Sequence, residues 1–212
     1  IPPAIAKAAI DSGVALEPID DWEGYQEELM ERSGTGSKEI RLLHNRAKSN
    51  PKSIVFAEAD HLDVLKAAQR VHDEKIGKPI LLGRKEVILE LKEEIGFNAD
   101  VPIIDPKTDE EKERRNRFGE TYWKTRQRKG ITLLQAQKMM RERNYFAAMM
   151  VNEGEADALI TGYSRSYPTV VKPMLELIEK DKGITRVAAA NVMLTKQGPL
   201  FLADTTININ PD

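Results

Sequence analysis

The chain contains no cysteine and only three histidines, His44, His61 and His72, among its 212 residues. The absence of cysteine excludes disulfides, thiolate metal ligands and a cysteine nucleophile, and it fits the reducing conditions of the cytoplasm, where we expect the protein. The histidines lack the His-x-x-x-His spacing of a metal-binding helix. None lies near the hydroxyl-rich residues 163–169, so the sequence offers little basis for a Ser-His-Asp triad.

Long apolar runs and a dominant charge are absent as well. The longest apolar stretches, such as PILLG at 79–83 and AAMMV at 147–151, are far too short to span a bilayer. The 32 basic residues nearly balance the 34 acidic ones, and the net charge is −2. Such a balance gives no overall field that attracts polyanions or lipid surfaces. We therefore expect a globular protein whose partners include neither nucleic acid nor membrane.

Apolar blocks typical of β-strands recur along the chain. They occupy residues 53–58, 78–83, 101–105, 157–162, 186–194 and 199–204. Most are continuous rather than alternating, which favours strands buried on both faces of a parallel sheet. Helical periodicity appears at 61–75 and 84–96, and two further helices are predicted from about Thr108 to Lys129 and from Thr132 to near Gly154. This alternation predicts a layered α/β fold.

Both ends of the chain resemble interior segments of a longer polypeptide. Residues 1–15, IPPAIAKAAIDSGVA, predict the middle of a helix that is closed by Gly13. Charged residues interrupt its apolar part, so it does not fit a secretory signal peptide. Residues 14–50 predict a connector with an SGTGS loop at 33–37, followed by a short amphipathic helix that contains Ile40, Leu43 and Ala47.

The stretch at residues 162–172 is the strongest candidate for a binding site. A strand that ends in Gly162 precedes hydroxyl side chains and a helix start, whose free backbone N–H groups and dipole favour an anion. The donors and cations of this stretch are Ser164, Arg165, Ser166, Thr169 and Lys172. The same pattern also fits an ordinary strand–loop–helix connection, with Thr169 as the N-cap and Arg165 in solvent.

A second candidate is the helical stripe of Phe118, Tyr122 and Arg126 at four-residue spacing. An aromatic ring beside an arginine can stack on an adenine and hold its phosphates. The alternative is a core stripe beside a solvated basic face, with cations favoured at the helix C-terminus. Residues 112–129 are locally basic, but acidic residues precede them and the chain is slightly acidic, so this segment does not change the expectation about nucleic acid.

A third polar cluster follows the last predicted strand, at Asp204, Asn208 and Asn210. The carboxyl end of a strand is a usual place for ligands in open α/β sheets. An Asn-Pro and Asp turn explains the same residues equally well. The sequence does not separate these two interpretations.

Several segments, in matching order and spacing, resemble phosphate acetyltransferases and butyryltransferases over about residues 53–212. They are KSIVFAEADHLDVLKAAQ, KPILLG, YWKTRQRKGITLLQA, ADALITG, VVKP and FLADTTININP. Residues 1–15 look like the end of the nucleotide-binding domain of a malic enzyme. The pairing resembles the bacterial NADP-dependent malic enzymes that carry a phosphotransacetylase-like domain at their C-terminus.

The resemblance implies an α/β three-layer sandwich of the isocitrate/isopropylmalate dehydrogenase type, with two subdomains and a cleft, which we expect to be incomplete in this chain. Residues 1–15 are then the end of the malic enzyme nucleotide-binding domain, and 16–50 a linker and connecting helix. Residues 51–152 form the first phosphotransacetylase-like subdomain, and 153–212 begin the second.

The resemblance also implies acyl-CoA as the ligand. Arg126 matches the arginine of the family's RKxKG-like motif, whereas Lys172 replaces a second arginine, which keeps the charge but loses the bidentate fork. Arg165 stands where the family usually has histidine, and bulky Tyr163 and Tyr167 replace small residues. The family's Ser-Arg pair and aspartate are expected beyond residue 212.

We therefore expect one cationic crevice, walled by the helix that carries Arg126 and by the turn around Ser164. The residues expected to bind acyl-CoA or phosphate are Tyr122, Arg126, Ser164, Arg165, Ser166, Thr169 and Lys172.

Three functions are open at this point. The leading hypothesis is a regulatory and oligomerisation domain of an NADP-dependent malic enzyme, which binds acetyl-CoA as an allosteric effector and does not itself catalyse a reaction. The parent enzyme decarboxylates malate to pyruvate with NADP and Mg or Mn, whose sites are expected upstream. The second hypothesis is an active phosphate acyltransferase, and the third is a purely structural dimerisation module.

Overall fold

The computed structural model describes residues 2–15, 17–22, 24–25, 29, 38–178, 180, 182–195, 198–204 and 207–208. The chain divides into two compact units. One comprises Ile1–Arg46 and Asn191–Leu202, and the other comprises Ala47–Ala190 and Ala203–Asp212. The second unit is called the parallel-sheet unit below, since it contains the main sheet. The predicted SGTGS loop at 33–37 lies outside the described residues.

Four strands form the sheet of the parallel-sheet unit. They are β1 (Lys52–Phe56), β2 (Gly77–Leu82), β3 (Ile103–Ile104) and β4 (Ala158–Ile160). All neighbours are parallel, in the order β3-β2-β1-β4. Ile54 of β1 is aligned with Pro79 of β2 on one side and with Ala158 of β4 on the other. The predicted α/β fold with a parallel sheet is thus confirmed.

Helices α3 to α8, whose bounds follow, pack on the two faces of this sheet. Along the described chain the helices are α1 (Pro2–Asp11), α2 (Lys38–Ser49), α3 (Leu62–Asp73), α4 (Lys85–Ile95), α5 (Lys112–Arg126), α6 (Leu133–Met139), α7 (Arg143–Asn152) and α8 (Tyr167–Leu177). Successive side chains of a strand point to opposite faces. Phe56 accordingly joins the core cluster of α3 and α4, whereas Val55 joins the cluster of α5 to α8. None of the described helices is both long and apolar enough to cross a lipid bilayer.

The helical segment that begins at Thr132 differs from its prediction. Its start is confirmed, because the Thr132 side chain and Gln135 form a capping box. The prediction of one continuous helix is wrong, since the chain breaks between α6 and α7. Glu142 begins the second helix by accepting hydrogen bonds from the backbone N–H groups of Asn144 at 2.9 Å and Tyr145 at 3.1 Å.

Two later strands, β5 (Ala190–Thr195) and β6 (Gly198–Ala203), form a separate two-stranded sheet. The sequence predicted both strands correctly. Their apolar character does not reflect burial on both faces, however, because Val192 is 53% exposed and Phe201 is 68% exposed. The apolar side chains of this sheet therefore form an exposed surface of the described chain.

Helices α5 and α6 approach each other closely at Gly119. A Cβ atom there would lie 2.8 Å from the Cα of Gln137 and 2.9 Å from its backbone N, which is closer than real contacts allow. We expect Gly119→Ala to lower the free energy of unfolding by about 1 to 3 kcal/mol, since the helices must separate. Urea denaturation measures this change, with the exposed Glu120→Ala as control. A stabilised Gly119→Ala variant, as helix propensity alone predicts, would contradict the close approach.

Candidate functional site

The carboxyl ends of β1 and β4 meet where the strand order of the sheet reverses. From β1 the chain proceeds outward to β2 and β3, whereas β4 pairs with the opposite edge of β1. In open parallel sheets, ligands usually bind in the crevice at such a reversal. The segments that meet there are residues 57–61 after β1 and residues 161–166 after β4. The second of these is the turn that the sequence singled out.

Glu58, in the segment after β1, binds the backbone of this turn. Its Oε1 accepts hydrogen bonds from the N–H groups of Gly162 at 2.8 Å and Tyr163 at 2.9 Å, and from the Thr161 hydroxyl at 3.3 Å. Its Oε2 accepts from the Ser164 N–H at 2.9 Å and from the Ser164 hydroxyl. The residue is only 1% exposed. A carboxylate of the protein thus occupies the anion-binding arrangement that the sequence predicted for a ligand.

The surroundings of Glu58 act on its pKa in opposite directions. Burial raises the pKa, because the charged form loses water. The Ser164 hydroxyl and the N–H groups of Gly162, Ser164 and Tyr163 stabilise the carboxylate, and the pKa lies below its usual value. The side chain is therefore held as a buried anion.

Asp60, two residues later, binds two arginines. Arg143 donates from Nη1 at 2.6 Å and from Nη2 at 3.1 Å, and Arg84 donates from Nε at 3.2 Å. The Asp60 side chain is 4% exposed, against 20% for Arg143 and 61% for Arg84. Burial raises the pKa of Asp60, but Arg143 and Arg84 outweigh this and lower it. This cluster joins the carboxyl ends of β1 and β2 to the start of α7.

A second polar cluster lies at the C-terminal end of α8. The hydroxyls of Tyr122 and Tyr145 both donate to Oε2 of Glu176, at 2.8 Å and 2.9 Å. Arg126 donates from Nη2 to the backbone carbonyls of Glu176 at 2.9 Å and Leu175 at 3.4 Å. A cation is favoured here, because the last carbonyls of a helix lack partners within the helix. Arg126 therefore caps α8.

A cavity of about 830 Å³ is bordered by Tyr122, Arg126 and Glu176. Its polar lining includes Arg126, Glu176, Asn152 and Lys180, and its apolar lining includes Met149, Met174, Leu177, Ile178, Ile184 and Val187. A volume of this size accommodates a drug-sized ligand. The lining thus combines two cations with apolar side chains.

The predicted binding residues are divided between the two ends of α8. Tyr122 and Arg126 line the cavity at its C-terminal end. The others lie in the turn before α8 or within the helix, and none of them lines that cavity; they are Ser164, Arg165, Ser166, Thr169 and Lys172. An 11-residue helix is about 16 Å long. The expected single crevice is thus not formed by the described residues, because Arg126 binds the far end of the helix.

The outward side of the turn carries exposed polar side chains. The hydroxyls of Ser166 and Thr169 lie 2.8 Å apart, and Arg165 and Lys172 are exposed. Ser166 is the N-cap of α8, so the alternative prediction of Thr169 as N-cap is wrong. Tyr163 extends away from the turn and donates its hydroxyl to Asp63.

The aromatic stripe of α5 belongs to the core. Phe118 and Tyr122 have no exposed surface, and their rings pack against Phe146 and Tyr145 at centroid distances of 5.1 Å and 5.7 Å. The Tyr122 ring is thus covered and does not offer a face to an adenine. The core interpretation of the stripe agrees with the structure.

Titration of Tyr122 tests the cluster at Glu176. Burial and the Glu176 carboxylate raise the pKa of Tyr122 from 10.0 to about 12. Since the folded pKa exceeds the unfolded one, the stability contributed by this hydroxyl is complete below pH 10.0 and is lost as the pH rises toward 12. Spectrophotometric titrations of the wild type and of Tyr122→Phe are subtracted from each other. The difference curve should show one tyrosine that ionises near pH 12. A difference curve centred at pH 10.0 would contradict the buried contact.

The sequence analysis missed Glu58, Asp60 and Glu176. A signal for the first two was present, because the predicted strand block at 53–58 ends in Glu58, Asp60 follows it closely, and the carboxyl ends of parallel strands gather functional groups. In the polar cluster after β6, Asp204 accepts hydrogen bonds from the backbone N–H and side-chain amide of Asn208. Asn210 lies outside the described residues.

Comparison with known proteins identifies the fold and the family. The phosphate acetyl/butaryl transferase family model matches residues 39–212. An NADP-dependent malic enzyme of Rhizobium meliloti (strain 1021) is 32% identical over 212 residues, which cover 100% of this chain and 28% of that enzyme. A phosphate acetyltransferase of Synechocystis sp. is 31% identical over 80% of this chain and 24% of its own length.

A solved structure agrees with these matches. The crystal structure of a phosphotransacetylase from Streptococcus pyogenes has a TM-score of 0.71 and 31% identity, over 81% of this chain and 53% of that chain. The chain thus spans about a quarter of these curated relatives and about half of the solved one. Because the family model matches most of the chain and a solved phosphotransacetylase shares its fold, the chain belongs to the phosphate acetyl/butaryl transferase family, as its sequence motifs predicted.

Proposed function

We propose that this chain is the phosphotransacetylase-like domain of an NADP-dependent malic enzyme, and that it regulates that enzyme by binding acetyl-CoA. The similarity to malic enzymes carries the first part, because it extends over 100% of the chain and so includes residues 1–38, which lie outside the family match. In this proposal the parent converts malate to pyruvate. Its malate, NADP and Mg or Mn sites lie outside these 212 residues.

We infer that the domain binds an acyl-CoA without transferring its acyl group. Glu58 engages the backbone donors of the turn that would otherwise suit an acyl phosphate. Arg126 is bound to the end of α8, and Lys172 lacks the two-pronged geometry of arginine. These features support binding by charge and apolar contact, and they do not favour the close hold on a phosphoryl group that catalysis needs.

The cavity beside Arg126 supports acetyl-CoA as the ligand class. Arg126 and Lys180 at its wall suit phosphates, and the methionine and aliphatic side chains suit the thioester arm. Further cations, Lys124, Arg128 and Lys129, are exposed at the end of α5 and in the following 3-10 turn. The finer architecture, two subdomains of the isocitrate/isopropylmalate dehydrogenase type with a cleft, is part of the same proposal.

Calorimetric titration of the full-length protein with acetyl-CoA tests the proposal. We expect saturable binding that Arg126→Gln weakens about tenfold or more, because a charge-assisted contact to phosphate is lost. The matched control is Arg70→Gln, which removes an exposed arginine that pairs with Glu74 on α3. The absence of any binding heat would remove the regulatory role and favour the structural module. Exposed apolar residues of β5 and β6 support self-association in either case.

An active phosphate acyltransferase is the second candidate, and family membership is the observation in its favour. It requires CoA-dependent release of phosphate from acetyl phosphate by the full-length protein. We expect no such turnover, because Glu58 occupies the donors of the turn and Lys172 lacks the two-pronged geometry of arginine. Measurable turnover would overturn the non-catalytic half of the proposal while leaving acetyl-CoA binding intact.

A further inference from the structure

We infer that the Glu58 carboxylate keeps the backbone N–H groups of the turn at residues 161–164 occupied. Any ligand that binds at this turn is therefore recognised by side chains rather than by these N–H groups. In this role Glu58 is a positioning residue. The inference concerns the conformation of the turn itself, so it stands whether or not acetyl-CoA proves to be the effector.

The hydrogen bonds to Glu58 leave no acceptor capacity unused. A carboxylate offers about four lone-pair sites. Two backbone N–H groups and one hydroxyl approach Oε1, and one N–H and one hydroxyl approach Oε2. An external anion that reached these donors would have to displace Glu58. That displacement would leave a buried carboxylate without partners, which is strongly unfavourable.

A buried amide extends this network to α7. Asn144 has no exposed surface, its Oδ1 lies 2.7 Å from the Thr161 hydroxyl, and its Nδ2 has no hydrogen-bond partner among the described residues. The oxygen and nitrogen of an amide are assigned from their surroundings. With Nδ2 turned toward Thr161, the amide donates to the hydroxyl, which in turn donates to Glu58. In this orientation the Asn144 amide N–H has an acceptor. Helix α7 then helps to hold Glu58 in place through the Thr161 hydroxyl.

A ligand can contact this turn only through the side chains on its outward side. Its inward donors are occupied, so an oxyanion at this place meets Arg165 and the hydroxyl pair of Ser166 and Thr169. Exposed cations attract an anion through a field that salt screens within about 10 Å at 0.1 M ionic strength. Binding of an oxyanion at this turn is therefore expected to weaken steeply with added salt.

Hydrogen-exchange mass spectrometry of the full-length protein tests the proposal directly. In wild type, the backbone N–H groups of Gly162, Tyr163 and Ser164 should exchange slowly. Glu58→Gln should accelerate their exchange about tenfold to a hundredfold, while β1 and β2 remain protected. The matched acid-to-amide control is Asp63→Asn, which removes the negative charge from the acceptor of the Tyr163 hydroxyl but keeps the Glu58 carboxylate in the turn. Unchanged exchange in Glu58→Gln, or equal acceleration in the control, would overturn the proposal.

Chemical rescue provides a second test that starts from an unstable variant. Propionate contains the atoms that Glu58→Gly removes, so it should raise the melting temperature of that variant by several degrees. Chloride at the same ionic strength should not, and wild type should not respond to propionate. An equal response of both proteins would overturn the proposal.

Discussion

Replacing Glu58 by alanine is expected to lower the free energy of unfolding by about 3 to 5 kcal/mol, because each buried donor that loses its acceptor costs about 1 to 3 kcal/mol. The substitution leaves the N–H groups of Gly162, Tyr163 and Ser164 without their acceptor. Urea denaturation followed by circular dichroism measures the loss. Ser164→Ala is the graded control, because it removes only one hydroxyl of the set, and it should cost about 1 to 2 kcal/mol. A Glu58→Ala loss below about 1 kcal/mol would contradict the observed network.

The same variant has a defined dependence on pH. The folded pKa of Glu58 lies below its ordinary value of 4.5, so the carboxylate stabilises the fold fully above that pH. This contribution is lost as the pH falls through the folded pKa. The difference in stability between wild type and Glu58→Ala should therefore shrink in acid and stay constant above the ordinary carboxyl range.

Replacing Asp60 by alanine is expected to cost a similar amount, about 3 to 5 kcal/mol, for a different reason. In this variant Arg143 would keep its charge but lose the carboxylate that accepts two hydrogen bonds from it, and its side chain is only 20% exposed. Arg84→Ala should cost less than about 1 kcal/mol, because that side chain is 61% exposed and its ion pair is screened by water. Urea denaturation of the two variants measures the difference.

A double variant tests whether the cost of Asp60→Ala arises from the unpaired charge of Arg143. Asp60→Ala combined with Arg143→Met removes both buried charges, and replacing a buried pair by apolar groups is often neutral. We expect the double variant to regain most of the stability that Asp60→Ala alone loses. If the losses of the two substitutions simply added, the cost would not arise from an unpaired buried arginine.

The sequence predicted the sheet well, because its signal is local. Each strand of the main sheet falls on a continuous apolar block, and burial on both faces requires such a block. Gly13 and Gly96 were informative for a similar reason, since both adopt positive φ values at helix ends. The break before α7 was missed because it depends on the side-chain geometry of Glu142, which a hydrophobic pattern does not contain.

The site was harder to predict because its contacts are not local. Glu58 lies 104 to 106 positions away from the turn donors that it binds. The two meet only because β4 pairs with β1 rather than with β3. Arg126 and Ser164 were expected in one crevice because of the family resemblance and their residue types, but the direction of α8 separates them. Charge and hydrogen-bonding capacity indicate which residues bind anions, whereas the strand order decides which anion they meet.

The most direct test of the proposed function is the rate of NADPH formation from malate by the full-length enzyme, measured over increasing concentrations of acetyl-CoA. An effector must bind one state of the enzyme more tightly than another, so the rate should fall along a saturable curve. In the Arg126→Gln enzyme, we expect the curve to shift to higher acetyl-CoA concentration with the uninhibited rate unchanged. A malate oxidation rate that acetyl-CoA leaves unaltered at every concentration would contradict the regulatory role.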